Sequence, residues 1–99
     1  MRRLRLSPEA NSDLEAAIDW LAARNPRAAS RLYQRMRQKF AALSDAPGAG
    51  IPSDGMRAGM RRAIVRPYVV YYRTDSSVVE IVRILHGRRD HDAIFSGED

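Results

Sequence analysis

The chain has no cysteine and a single lysine, Lys39. It holds two histidines, one tryptophan and two phenylalanines in 99 residues. Without cysteine there are no disulfides, thiolate zinc sites or cysteine nucleophiles. That fits a cytoplasmic location. Two histidines with scattered carboxylates lack metal-ligand spacing, so neither a metal nor a cofactor is expected. No apolar run approaches the ~18 residues of a membrane span, so no membrane partner is expected. The opening, MRRLRLSPEA, is basic but has no apolar core, and a signal peptide is not expected. No glycine-rich phosphate loop, G-x-S-x-G or paired-carboxylate motif is present; Gly48-Ala49-Gly50 lacks the lysine and the following helix.

What is present is arginine. The chain carries 17 basic residues against 12 acidic ones, a net charge of +5. All the basic residues except Lys39 are arginine. Guanidinium groups suit bidentate contacts with carboxylates and phosphates. A genome that prefers arginine codons gives the same bias. The charge itself favours an anionic partner, a nucleic acid or an acidic protein.

The length allows one domain, residues 1–99. Residues 2–6 alternate as a strand. Ser7-Pro8-Glu9 is a helix start, with serine as cap and proline in the first turn. The helix should reach about Arg24, with Ala10, Leu14, Ala17, Ile18 and Leu21 on one stripe. Asn25-Pro26 repeats the signal and starts a second helix to about Ser44, with Ala29, Leu32, Tyr33, Met36, Phe40 and Leu43 facing inward. So short a link makes an antiparallel helical hairpin. Trp20 lies off the first stripe, and core packing is preferred for it over a partner contact.

Residues 45–59 hold four of the six glycines and read as a flexible loop. Strands follow at 60–66, 68–73 and 78–85, an antiparallel meander. Residues 91–95 suit a final helical turn, and 96–99 should fray. The fold class is therefore α+β: a helical hairpin on one face of a small twisted antiparallel sheet, ordered β-α-α-β-β-β. The other face is left open, or partly covered by the C-terminal turn. Strict alternation along 78–85 puts Val79, Ile81, Arg83 and Leu85 on one side, without saying which side meets the helices.

Four stretches together resemble the RelE/ParE superfamily of toxins from type II toxin–antitoxin systems, nearest its ParE branch. They are the SPEA helix opening, Met56-Arg57-Ala58-Gly59, Tyr68-Val69-Val70-Tyr71-Tyr72, and the run VRILHGRRD at 82–90. The resemblance spans about residues 3–95. It implies a RelE/ParE-like fold and a toxin neutralised by a cognate ParD-like antitoxin, whose DNA-binding part links the complex to operator DNA. ParE-like toxins stall DNA gyrase on cleaved DNA. RelE-like toxins cut messenger RNA on the ribosome.

Cutting RNA without a metal needs a base, an acid and cations at the phosphate. The nuclease branch supplies these with lysines, arginines and a C-terminal tyrosine or histidine. Here Val69 replaces an arginine, Phe95 replaces the tyrosine, and Lys39 lies within a helix. Arg89 matches a phosphate-binding arginine of that branch. His91-Asp92-Ala93-Ile94-Phe95 resembles the His-x-x-x-Phe end of some such nucleases, and imidazole suits an acid. His86 reads either as a strand-end residue bonded to backbone or Asp90, or as a contact. The leading expectation is a gyrase inhibitor without catalytic residues, contacting target or antitoxin through Arg61, Arg83, His86, Arg88, Arg89 and Phe95. The alternatives are a ribosome-dependent endoribonuclease using His91, Arg89 and Arg61, and an inactive toxin that serves as operon co-repressor.

Overall fold

A computed structural model describes residues 2–97. The chain forms β1 (Arg3–Leu6), α1 (Pro8–Ala22), α2 (Pro26–Asp45), a 3-10 turn (Pro47–Ala49), β2 (Ile51–Pro52), β3 (Arg61–Val65), β4 (Tyr68–Thr74), β5 (Val78–His86) and α3 (His91–Ser96). Both helix starts form as their sequences dictate. Ser7 Oγ accepts the Ala10 N–H at 3.0 Å, and Asn25 Oδ1 accepts the Ala28 N–H at 3.1 Å. Helix α1 stops at Ala22, short of Arg24. Asn25 must be extended to cap α2, and the proline after it disfavours helical backbone there.

The sheet order is β1-β5-β4-β3-β2. Three strands form the expected meander, but β1 joins β5 in parallel, Arg3 against Val78 through Leu6 against Ile81. The sheet is therefore mixed. No tight turn links β1 to β5; the hairpin helices and three strands intervene, so turn chemistry does not set its sense.

A bulge sits in the β4–β5 ladder. Tyr71 pairs with Arg83 but Tyr72 pairs with Ile81, so Val82 is the extra residue. Strict alternation along β5 fails there. Val79, Ile81 and Ile84 join the core under the hairpin, with Ala10, Leu32, Met36, Phe40, Val70 and Tyr72. Val82 and Leu85 turn to the far side. Arg83 shares that far side with Tyr71, because directly paired residues lie on one face.

The far face is not open. Met60, Tyr71, Val82, Leu85 and Ile94 form a second, smaller core there, with Met56, Val69 and Phe95 packed on it. The apolar residues of the long connection and of α3 cover it. That connection is itself built. Within residues 45–59 lie the 3-10 turn and β2, and Asp54 Oδ1 accepts the Gly59 N–H at 3.0 Å. Gly59 has φ +76°, which favours glycine. At the other end, Ser96 closes α3 and Gly97 caps it with φ +82°; residues 98–99 lie outside the described residues.

Two aromatic assignments change. Tyr33 is 45% exposed rather than in the α2 core stripe, and Trp20 is 58% exposed rather than packed inside. Tyr72 is fully buried. Its hydroxyl donates to the Pro47 carbonyl at 2.7 Å and accepts the Gly50 N–H at 2.9 Å. A Cβ at Gly50 would collide with that hydroxyl and lie 2.8 Å from the Arg62 carbonyl oxygen. Tyr72→Phe should cost about 1–3 kcal/mol in urea denaturation, since two groups lose their partner together.

Candidate functional site

The far face, where α3 meets the end of β5, brings together His91 and Phe95 of the sequence-predicted site residues. A short α3 forms because Asp90 Oδ1 caps it, accepting the Ala93 N–H at 3.1 Å. Its first residue, His91, then lies beside β4. His91 Nε2 is 2.9 Å from the His86 carbonyl oxygen, and Nδ1 is 2.6 Å from the Tyr71 hydroxyl. A carbonyl only accepts, so Nε2 carries the hydrogen and donates. In the neutral ring Nδ1 then accepts from the tyrosine. The chain of bonds runs from Tyr71 through His91 to the β5 backbone.

Phe95, one helical turn on, stands edge-on to Tyr71 with ring centroids 4.8 Å apart. The Arg57 guanidinium lies over the Phe95 ring at 5.1 Å. Burial pushes the Tyr71 hydroxyl above the ordinary tyrosine range; Arg62 pulls it down and Asp92 pushes it up. Tyr71 is therefore a protonated donor near neutral pH. Arg62 pairs with Tyr71 across the ladder, on the same face, and its Nη1 donates to Ser53 Oγ at 2.8 Å.

His86 ends β5. Its Nδ1 accepts the Arg88 N–H at 3.2 Å, so the backbone rather than Asp90 is its partner, and its ring stands edge-on to Tyr68. Arg88 and Arg89 are exposed in the turn after it, and the Arg89 N–H donates to the His86 carbonyl. So Arg88 and Arg89 stand in the turn that leads to α3, and His86 meets His91 through its backbone carbonyl while its ring lies on the hairpin side beside Tyr68 and Trp20.

Arg61 and Arg83 do not join them. Arg61 pairs with Tyr72, on the hairpin side of the sheet. Its Nη1 donates to the Gly50 carbonyl at 2.8 Å and the Gly48 carbonyl at 3.3 Å, tying down the 3-10 turn. Arg83 starts on the Tyr71 face but turns to the sheet edge, where it meets Asp13 of α1. Nε and Nη2 lie 2.8 and 3.0 Å from the two Asp13 oxygens. Asp13 also accepts the Ile84 N–H at 2.9 Å, on the edge of β5 beyond the last residue paired with β1. Arg83 is thus a structural clamp between α1 and β5.

Sequence reasoning passed over Tyr71, Arg57 and Arg62 as site residues. One signal was available for Tyr71: two consecutive tyrosines on a strand must face opposite ways. Tyr72 enters the hairpin core, so Tyr71 faces α3. Among the described residues no group of three or more His, Asp or Glu side chains is placed to hold a metal, and no helix is long and apolar enough to cross a membrane.

Comparison with known proteins places this geometry. Residues 4–91 match the family model for the ParE toxin of the type II toxin–antitoxin system parDE. Toxin ParE1 of Caulobacter vibrioides is 32% identical over 87 residues, 87% of this chain and 90% of that protein. Toxin RelE1 of the same organism is 36% identical over 88 residues, 83% of this chain and 89% of that protein. A chain of the chromosomal ParDE system from P. aeruginosa superposes with a TM-score of 0.73 at 21% identity, covering 87% of this chain and 96% of that one. A chain of the RelBE2 toxin–antitoxin complex from Mycobacterium tuberculosis gives 0.61 at 26% identity, covering 86% and 90%. With the family model spanning nearly the whole length, and the α+β fold shared, the chain belongs to the ParE toxin family of type II toxin–antitoxin systems.

Proposed function

We propose that this toxin inhibits DNA gyrase by docking on it, without cutting RNA, and that a ParD-like antitoxin neutralises it. One observation carries the reading. The side chain that would serve as acid for RNA cleavage on the α3 face, His91, is engaged inside the protein. His91 uses both ring nitrogens within the fold, and Phe95 has no proton to give. Arg61 is tied to backbone carbonyls and Arg83 to Asp13. A lost charge stabiliser typically costs about 2.7–4 kcal/mol of barrier lowering, so two absent groups argue against efficient cleavage. The half-buried Phe95, with the Arg57 guanidinium over its ring, suits a docking patch with an aromatic anchor and a cationic rim.

The ParE family match supports the gyrase target, and the two toxin–antitoxin systems among its structural relatives support the antitoxin partner. Operator DNA would be reached only through that antitoxin. A cytoplasmic location goes with such a target. The test is direct: purified protein, gyrase and supercoiled plasmid should give linear, protein-linked DNA in proportion to toxin. Plasmid topology unchanged at toxin excess would reject the reading.

A second reading is favoured by one specific contact. The 2.6 Å Tyr71–His91 pair, with Arg62 on the same face, places a potential acid and base beside a cation. The likeness to Toxin RelE1 points the same way. Under it the protein is an endoribonuclease whose reacting pair is Tyr71 and His91.

A further inference from the structure

We propose that the outward face of α2 contacts the sugar–phosphate backbone of duplex DNA, independently of base sequence. Arg27, Arg31, Arg35 and Lys39 follow one another at four-residue intervals. On a helix that spacing stacks them into one row about 18 Å long, off the stripe of buried Leu32, Met36 and Phe40. The three arginines are exposed and Lys39 is half-buried. The row has no counter-charge: none of its members forms an ion pair among the described residues, and the one acid of α2 is its last residue, Asp45. Arg35 Nη2 donates to a neutral group, the Arg66 carbonyl, at 2.9 Å. This arrangement works against the helix. Like charges four residues apart repel, and Arg27 sits in the first turn, where the helix dipole favours an acid. Helix α1 shows the opposite arrangement, with Glu9 in its first turn and Asp13 holding Arg83. An anionic partner laid along the row of α2 offsets both penalties.

The side chains around the row select among anions. Ser30, Gln34 and Gln38 are exposed beside it, and such groups join arginine and lysine on phosphate oxygens. No large apolar side chain of α2 is exposed there. Tyr33 lies two residues from Arg31, about 200° round the helix, over the groove that holds Leu6 and Phe40. An acidic peptide would find no pocket for an apolar anchor, and a single strand no ring on which to stack its bases. A duplex backbone presents charge at regular intervals and needs neither. Contacts of this kind carry no base readout, so reading an operator sequence would still fall to the antitoxin.

The test is fluorescence anisotropy of a short labelled duplex of mixed sequence, titrated with the full chain over a range of salt concentrations. Binding should saturate, and log affinity should fall against log salt with a slope of about −3.6, the value for four neutralised phosphates. Arg27→Gln combined with Arg31→Gln should bring the slope to about −1.8 and weaken binding at low salt about tenfold or more. The melting temperature should hold or rise, since both side chains are exposed and their repulsion is relieved. Arg3→Gln combined with Arg88→Gln removes the same charge from exposed positions elsewhere and should leave the slope near −3.6. The proposal is overturned by no saturable binding, by an equal change of slope in the two double variants, or by tighter binding of poly-glutamate or of single-stranded DNA than of the duplex. The assay contains no gyrase, so the backbone contact and the gyrase reading fail separately.

Discussion

Asp13→Ala should lower folding stability by about 1–3 kcal/mol, the cost of removing an acceptor that serves a part-buried guanidinium and a backbone N–H together. A small domain has about 5–15 kcal/mol in total, so this one change would remove a sizeable share of it. The Asp13 carboxylate neutralises Arg83 through two bonds and also accepts the Ile84 N–H. The side chains are only 12% and 21% exposed. Removal takes the bidentate acceptor from the guanidinium and the acceptor from the Ile84 N–H, where water reaches poorly. Replacing both partners by apolar residues should recover part of the loss, because the guanidinium then goes with its acceptor. Urea denaturation of the two single variants and the double variant gives the coupling energy. Single losses under about 1 kcal/mol, the range of exposed pairs, would show that the clamp is a surface contact.

Phe95→Ala should raise the toxin concentration needed for gyrase-dependent DNA cleavage about thirtyfold, the effect of losing a central anchor worth about 2 kcal/mol. Its cost to the fold should be smaller. The edge-on pair with Tyr71 contributes about 0.5–1.5 kcal/mol beyond area burial, and Ile94 keeps α3 on the second core. Potency and stability should therefore separate. Arg88→Ala and Arg89→Ala should weaken the same activity in a salt-dependent way, since both are exposed. A Phe95→Ala protein with full potency would remove the α3 face as the docking surface.

Much of this fold was legible because local chemistry and global packing agree. Ser7-Pro8 and Asn25-Pro26 mark helix starts by capping and fixed φ, and both caps form. The three meander strands follow from apolar patterning and short turns. The sense of β1 was not legible, since only a distant strand decides it. Arg83 was not legible for a different reason. The bulge at Val82 breaks the two-residue period on which face assignment depends, and nothing in a run of valines and isoleucines announces it. Arg61 and Arg62 show the same limit: a one-residue difference separates a tether on the hairpin side from a cation beside Tyr71. His91 was visible as a candidate by type. Its role as the link between β4 and β5 required knowing that Tyr71 faces it.

The most direct measurement is primer extension on actively translated messages, with and without induction of the toxin, comparing the parent protein with His91→Ala and Tyr71→Phe. A docking toxin leaves no toxin-dependent, codon-phased message ends in any of the three. Phased ends made by the parent and absent from either variant would contradict the account, and would make the Tyr71–His91 pair a catalytic centre.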